Sequence, residues 1–238
     1  ALSKEFFDKY KAKYEKFCNY IYDNRNDETL FGHEFAEWDE KLIRDYVKKL
    51  LGRIVFLHFL QKKGWLGVPV DKQWGEGDTQ FMRNLFKAST QKQKDNYLDL
   101  VLEPLFAGAL NTQRPNDIFD LNVEGFRTTR IPYLNGGLFE RDALDEPKST
   151  FPASYFEDLL EFFYRYNFTI DENDPNDAEV GVDPEMLGRI FENLLEDNKD
   201  KGAFYTPKEI VQYMCRESLI VYLQTDQKEE DKECIRQF

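Results

Sequence analysis

Apolar residues recur at helical spacing along most of this 238-residue chain, and no other feature limits its possible folds as strongly. The clearest stripe lies within residues 2–22 and consists of Phe6, Phe7, Tyr10, Tyr14, Phe17, Cys18 and Ile21. A second helix is predicted over about 37–63, with Trp38 and Leu42 on its apolar face and apolar residues on almost every side after Ile54. The pattern therefore predicts a mainly α-helical, irregular multi-helix domain with one or two short β-hairpins.

Helix caps, glycines and prolines set the remaining boundaries. They predict helices over 79–88 (capped by Asp78), 95–110 (strained or broken near Pro104), 151–167 (with a capping box from Ser154 to Glu157), 184–195 and 207–224. Residues 111–140 are expected to form an ordered connector with one hairpin, and 168–170 and 179–182 to form two short strands that pair.

Composition excludes several classes of protein. Hydrophobic residues make up 41% of the chain and aromatic residues 16%, which is enough for a core. The sequence holds no apolar run near the ~18 residues of a membrane span and no secretory leader, so we expect a cytoplasmic protein. The net charge of −13 disfavours contact with phosphates, so we expect this chain alone to bind DNA weakly or not at all.

The candidate metal ligands and catalytic groups are few. The three cysteines (Cys18, Cys215 and Cys234) form no metal-ligand spacing and are expected to be reduced thiols. His58 lies in an apolar run and is expected to be a packed core histidine. The paired carboxylates are expected to be solvated, so the sequence predicts no metal site and no catalytic residue.

Residues 201–214 combine a loop with a strongly capped helix start. Thr206 can be the N-cap, Pro207 occupies the first helical position, and Glu209 completes a capping box. Tyr205 can pack on Ile210 and fix the direction in which the chain enters the helix. The free amides of a helix N-terminus attract anions, and two adjacent aromatic rings suit a flat ring. A well-capped helix with two core aromatics is the simpler reading of the same residues.

The segment Gly202-Ala203-Phe204-Tyr205-Thr206-Pro207-Lys208-Glu209-Ile210-Val211 resembles the cofactor-pocket segment of N6-adenine DNA methyltransferases in restriction–modification systems, especially fused type IIG enzymes. Other segments resemble the helical region upstream of the methyltransferase core, in the order found in that family. They are Leu50 to Leu66, Glu103-Pro104-Leu105-Phe106, Ile131 to Glu140, and Asp183 to Glu192. The resemblance covers roughly residues 40 to 224.

The resemblance implies that Ala203, Phe204, Tyr205, Thr206 and Pro207 form one wall of an S-adenosylmethionine pocket. It implies a parent enzyme that methylates adenine N6 in DNA, with a possible Mg²⁺-dependent nuclease module outside this chain. Residues 1–150 would then be a helical connector with a long ordered loop, and 151–238 the lead-in to the methyltransferase core.

Two motifs of the resembled family are absent from the sequence. It contains neither an Asp-Pro-x-x-Gly-x-Gly loop nor an Asn/Asp-Pro-Pro-Tyr/Phe tetrapeptide, which would hold the rest of the cofactor and the flipped adenine. We therefore expect an inactive piece of a larger enzyme whose catalytic residues lie beyond Phe238. The alternatives are a non-catalytic helical scaffold and, less favoured by the sequence, a metal-dependent hydrolase. The oligomeric state and the DNA recognition sequence stay open.

Overall fold

Two long helices, α1 (Leu2–Asn24) and α2 (Glu40–Lys62), pack against each other in the computed structural model. The structure describes residues 2–134, 136–168, 181–182, 188, 206 and 208–225. The apolar stripe of α1 is buried, as its spacing predicts, except that Phe7 is half-buried. The predicted start of α2 near residue 37 was wrong, because His33–Glu37 forms a separate 3₁₀ turn.

The N-terminus of α2 is fixed by Asp39, whose carboxylate accepts a hydrogen bond from the Leu42 amide at 2.8 Å. Leu42, in the first turn of α2, is 39% exposed, so its predicted place on the buried face was wrong. The C-terminal half is deeply packed, as predicted, with Phe56 as a partly exposed exception. Gly64 follows the helix with φ +66°, and a Cβ there would lie 2.1 Å from the Gly75 carbonyl oxygen, so only glycine fits.

The region predicted as one strained helix over 95–110 is divided into shorter pieces. The helices α3 (Phe81–Ala88) and α4 (Gln91–Asp95) precede two π-helical segments, Leu98–Leu102 and Pro104–Leu110. Pro104 begins the second segment, where its missing N–H is tolerated. Glu103, which lies between the two segments, is itself helical, so the chain stays helical from Leu98 to Leu110 and the strain predicted near Pro104 takes the form of π-helical turns.

Two small strand pairs complete the first part of the chain. Strand β1 (Ile118–Phe119) pairs antiparallel with β2 (Thr129–Arg130), which confirms a hairpin within the predicted connector. Strand β3 (Asn167–Phe168) pairs with β4 (Gly181–Val182), but in parallel, so this second pair is not a hairpin.

Helix α5 (Ala153–Tyr164) buries the apolar side predicted for it, including Phe156 and Phe163. The predicted capping box was wrong. The helix begins directly after Pro152, which leaves Ser154 inside the first turn, and no side chain caps this N-terminus. Aromatic contacts join α5 to α1, among them Phe6 with Phe162 at 5.2 Å between ring centroids.

The chain divides into two compact units, 1–183 and 184–238. In the second unit the structure describes Gly188, Thr206 and the stretch 208–225, which contains α6 (Lys208–Gln224). The rest of the predicted helix over 184–195 lies outside the described residues. None of the helices in the described part of the chain has the length and apolar character needed to span a membrane.

Candidate functional site

The predicted cofactor wall lies largely outside the described residues. Of its five members, only Thr206 is described, and its side chain is exposed. Ala203, Phe204, Tyr205 and Pro207 lie outside the described part of the chain. The wall therefore stays a prediction, and so does the stacking of Tyr205 on Ile210.

Helix α6, which follows Thr206, carries many exposed apolar side chains. Eight large ones are between 43% and 74% exposed: Ile210, Val211, Tyr213, Met214, Leu219, Val221, Tyr222 and Leu223. Single exposed apolar residues are ordinary, but this many along 17 residues is a feature of surfaces that bind another apolar surface.

A buried arginine organises the first unit. Arg53 lies in the middle of α2 and is 2% exposed, and its guanidinium forms a two-pronged ion pair with Asp145 at 2.7 and 3.0 Å. It also donates to the backbone carbonyls of Leu138 at 2.7 Å and Glu140 at 2.9 Å. A buried guanidinium needs such partners because removing its charge from water is costly. Arg53 thus holds the loop before α5 against α2.

Three of the segments that carry the family resemblance meet at this arginine. Arg53 belongs to the segment 50–66, and its guanidinium lies 5.4 Å from the ring centre of Phe106 in 103–106. The third segment, 131–140, contributes the two carbonyls and Phe139, whose ring lies 5.7 Å from that of Phe106. These three segments, through which the chain resembles the family, therefore contact one another in the core.

The carboxylate of Asp145 is stabilised in its ionised form. Burial opposes ionisation, but hydrogen bonds from Arg53 and Lys49 outweigh it and hold the Asp145 pKa below its usual value. Lys49 contacts Asp145 and Asp142, each at 2.6 Å. Both oxygens of Asp145 accept charge-assisted hydrogen bonds from Arg53, and we call this buried Arg53–Asp145 pair the Arg53 anchor.

Next to the anchor lies an open cleft of about 300 Å³, which we call the polar cleft. Its lining includes Tyr46, Asp99, Glu103, Arg141, Lys148 and Ser149. Burial raises the pKa of Asp99, partly offset by the charge of Lys148. Burial also raises the pKa of Glu103, with the negative charge of Asp145 as the next contribution.

His58 is packed in the core, as the sequence predicts. It is 3% exposed and packs against the rings of Phe163 and Phe168, and its Nδ1 is 2.8 Å from the Ile54 carbonyl oxygen. That carbonyl fixes Nδ1–H as the donor in the neutral ring. Burial lowers the His58 pKa to about 4, against a smaller opposing effect of the hydrogen bond.

Sequence reasoning missed both the anchor and the polar cleft. An arginine within the apolar face of α2 was the available signal for the anchor, because buried arginines require acidic partners. Its partner Asp145 is 92 residues away along the chain, and nothing local identifies it. Asp99 and Glu103 gave no signal, since acidic residues on a helix are ordinarily solvated.

The comparison with known proteins points to one class, the enzymes of restriction–modification. No family model matches the chain, and no solved structure matches it. Over 201 residues the chain is 32% identical to a Methanocaldococcus jannaschii protein named "putative type II restriction enzyme and methyltransferase". The match covers 77% of this chain and 15% of that relative. The chain is therefore related to a restriction–modification enzyme and spans a small part of its length.

Proposed function

We propose that this chain is part of a fused, type IIG-like restriction–modification enzyme that methylates adenine N6 in DNA. The similarity to the archaeal relative carries this proposal, because that protein's name joins a restriction enzyme with a methyltransferase. The order of the resembling segments along residues 40–224 agrees with it. The finer assignments, to type IIG and to adenine N6, rest on the resemblance of those segments.

Residues 203–207 are proposed to form one wall of the S-adenosylmethionine pocket. The cofactor would supply the methyl group. Thr206 and the free amides at the start of α6 would donate hydrogen bonds to its carboxylate, and Phe204 or Tyr205 would pack against it. The exposure of Thr206 supports the proposal, because a residue that contacts a ligand must be accessible.

The remainder of the chain is proposed to link modules of the cytoplasmic parent enzyme. No residue of this chain is assigned to the chemical step, since the sequence contains neither the glycine loop nor the Asn/Asp-Pro-Pro-aromatic tetrapeptide of the resembled family. We therefore expect the 238-residue chain alone to be inactive. Contact with DNA, and any Mg²⁺-dependent cleavage, would belong to other parts of the parent.

The test is the affinity of the parent enzyme for S-adenosylmethionine, measured by calorimetry. We expect Tyr205→Ala and Thr206→Ala each to weaken binding about fivefold or more, because each removes one contact of about 1 kcal/mol. Tyr22→Ala and Thr128→Ala change the same residue types at exposed positions of the first unit and should leave the affinity unchanged. Unchanged affinity in the Tyr205 and Thr206 variants would show that the wall is elsewhere.

A helical scaffold is the second candidate, and the Arg53 anchor favours it. The resembling segments that meet there contribute core contacts, which a purely structural spacer would also need. On this alternative the wall variants would keep full cofactor affinity, while variants of the anchor would lower stability. No observation favours a metal-dependent hydrolase, since the described residues include no group of three or more His, Cys, Asp or Glu side chains placed to hold a metal.

A further inference from the structure

Residues 64–77 form a turn-rich loop that carries two exposed tryptophans. Trp65 is 42% exposed and Trp74 is 39% exposed, whereas the remaining tryptophan of the chain, Trp38, is 8% exposed. Large aromatic side chains are ordinarily well buried, so two exposed indoles in one loop need an explanation. Val70, in the same loop, is 56% exposed. We call these three exposed residues, Trp65, Val70 and Trp74, the tryptophan surface.

The loop holds both indoles on a fixed backbone. The amides of Gly75 and Gly77 both donate to the Gly64 carbonyl, at 3.1 and 2.9 Å, so Trp65 and Trp74 lie on adjoining stretches of chain. Gly64 and Gly75 have φ of +66° and +99°, values that other residues rarely adopt. Side chains that are both exposed and preorganised are typical of binding surfaces, because little conformational entropy is lost when they bind.

The residue types at this surface are those of protein interfaces. The Arg130 guanidinium lies 4.4 Å from the centre of the Trp74 ring and donates a hydrogen bond to the Lys72 carbonyl at 2.8 Å, so one face of the ring is held in place. Tryptophan and arginine are enriched among the residues that contribute most to binding between proteins. This combination therefore favours a protein partner.

The nearby charges disfavour a nucleic acid or an anionic membrane as the partner. Lys63 and Lys72 are exposed, but so are Asp71 and Glu76, and the Lys72 ammonium lies 3.8 Å from the Glu76 carboxylate. Contact with phosphates requires an excess of positive charge, which this balanced set does not provide. An apolar surface with balanced charges at its edge instead suits the apolar core and polar rim of a protein interface.

The size of the tryptophan surface favours a tethered partner over a free one. Its exposed apolar area is roughly 300 Å², given the exposed fractions of its three side chains and the size of an indole. A stable complex between separate molecules needs about 800 Å² from each partner. A smaller surface is enough for a segment of the same polypeptide, since tethering raises the effective concentration of that segment. The matched stretch is 15% of the archaeal relative, so that protein has ample further polypeptide.

We propose that the tryptophan surface docks the first unit onto an apolar segment of the parent polypeptide outside residues 1–238. Trp65 and Trp74 are the anchors of this contact. The proposal rests on the proposed function only in requiring a longer parent enzyme. It does not involve the cofactor wall, whose test is the affinity for S-adenosylmethionine, so either proposal can fail while the other stands.

Hydrogen–deuterium exchange, measured by mass spectrometry on the 238-residue chain and on the parent enzyme, tests this contact without any variant. We expect the amides of residues 70–74 to exchange at least about tenfold more slowly in the parent, because a covered loop opens less often. Residues 26–29, which are also exposed in the first unit, should exchange at the same rate in both proteins.

Variants then show whether the tryptophans carry the contact. Trp65→Ser with Trp74→Ser in the parent should return the exchange of the loop to the rate of the 238-residue chain. Tyr22→Ser is the matched control, because Tyr22 is 53% exposed and also has a guanidinium, that of Arg25, 4.4 Å from its ring centre. It should leave the protection of the loop unchanged. Thermal unfolding of the 238-residue chain verifies that each variant folds.

The same measurement distinguishes the other possible partners. Equal exchange of residues 70–74 in the chain and the parent would show that no segment covers the loop. Protection that appears only after DNA is added would make the surface a nucleic-acid contact, and protection that rises with the concentration of the chain would make the partner a second copy. Equal protection of residues 26–29 would mean general burial of the first unit. Each of these results would overturn the proposal.

Discussion

Arg53 places a charge in the middle of a helix face that is otherwise apolar. Its neighbours on α2, Leu50, Ile54 and Leu57, are each no more than 4% exposed. The arginine is accommodated because Asp145 and two carbonyls take up its donors, and because its guanidinium lies over Phe106. The Arg53 side chain therefore pairs with the buried carboxylate of Asp145 and also joins segments that are distant in the sequence.

Replacing this arginine should strongly destabilise the fold. We expect Arg53→Met to lower the free energy of unfolding, measured with urea, by about 3–5 kcal/mol, because Asp145 would remain as a half-satisfied buried charge. Adding Asp145→Asn should recover part of the loss. Arg127→Met removes an exposed pair with Asp120, 3.9 Å apart, and should change stability by less than about 0.5 kcal/mol. A cost below that of the control would show that the anchor contributes nothing.

His58 should make the protein less stable in mild acid. Its pKa is lowered to about 4 in the folded state, whereas an unfolded histidine titrates near 6.5. Between these values the unfolded chain binds more protons than the folded one, so stability is highest above about pH 6.5 and falls until about pH 4. The difference between these two pKa values corresponds to roughly 3 kcal/mol of stability lost on acidification.

Urea unfolding at several pH values measures this effect. His58→Phe should remove most of the slope between pH 6.5 and 4, whatever it does to stability at neutral pH. His33, the other histidine of the chain, is 81% exposed in its side chain, so His33→Phe should keep the wild-type slope. A slope that persists in the His58 variant would assign the acid sensitivity to carboxylates.

The helix ends predicted from the sequence differ most from those observed in the structure. Asp39 caps α2 through its side chain, whereas Ser154, predicted to cap α5, lies inside that helix. Both positions carry a good capping residue, so local sequence alone does not separate them. The start of α5 is set instead by Pro152, next to the buried Phe151, which packs 5.0 Å from Phe17 of α1. The N-terminus of α5 is therefore determined by a tertiary contact and not by a capping side chain.

The two caps should respond differently to truncation. Asp39→Ala is expected to lower the free energy of unfolding by about 1 kcal/mol, because it removes the hydrogen bond to the Leu42 amide. Ser154→Ala should be neutral or slightly stabilising, since alanine favours helix interiors. Urea unfolding of both variants measures the difference. A larger loss at Ser154 than at Asp39 would mean that the capping box forms after all.

Across the molecule, local patterns predicted the elements well and the long-range contacts poorly. The buried stripe of α1, the end of α2 at Gly64 and the strained helix around Pro104 all follow from neighbouring residues. The Arg53–Asp145 pair and the polar cleft join residues that only the fold brings together. Of the predicted cofactor wall, the structure describes Thr206 alone, so that prediction depends on sequence resemblance.

The exposed apolar side chains of α6 lead to the last prediction, which rests on the proposed parent enzyme. In the 238-residue chain, Tyr213→Ser with Tyr222→Ser should change stability little, because these side chains are 65% and 74% exposed. If a methyltransferase core covers this helix in the parent, the same change should lower the parent's Tm. Each ring would then lose roughly 3 kcal/mol or more of burial and packing.

Differential scanning calorimetry of both proteins makes the comparison. Tyr22→Ser with Tyr164→Ser changes two exposed tyrosines of the first unit, 53% and 47% exposed, and serves as the matched control. The α6 variant should act only in the parent, while the control should have the same small effect in both proteins. Equal effects of the α6 variant in the two proteins would mean that this surface stays open to solvent, as a scaffold without a covering core requires. A loss confined to the parent would instead place α6 at a buried junction, where Thr206 and its neighbours can meet the rest of a cofactor pocket.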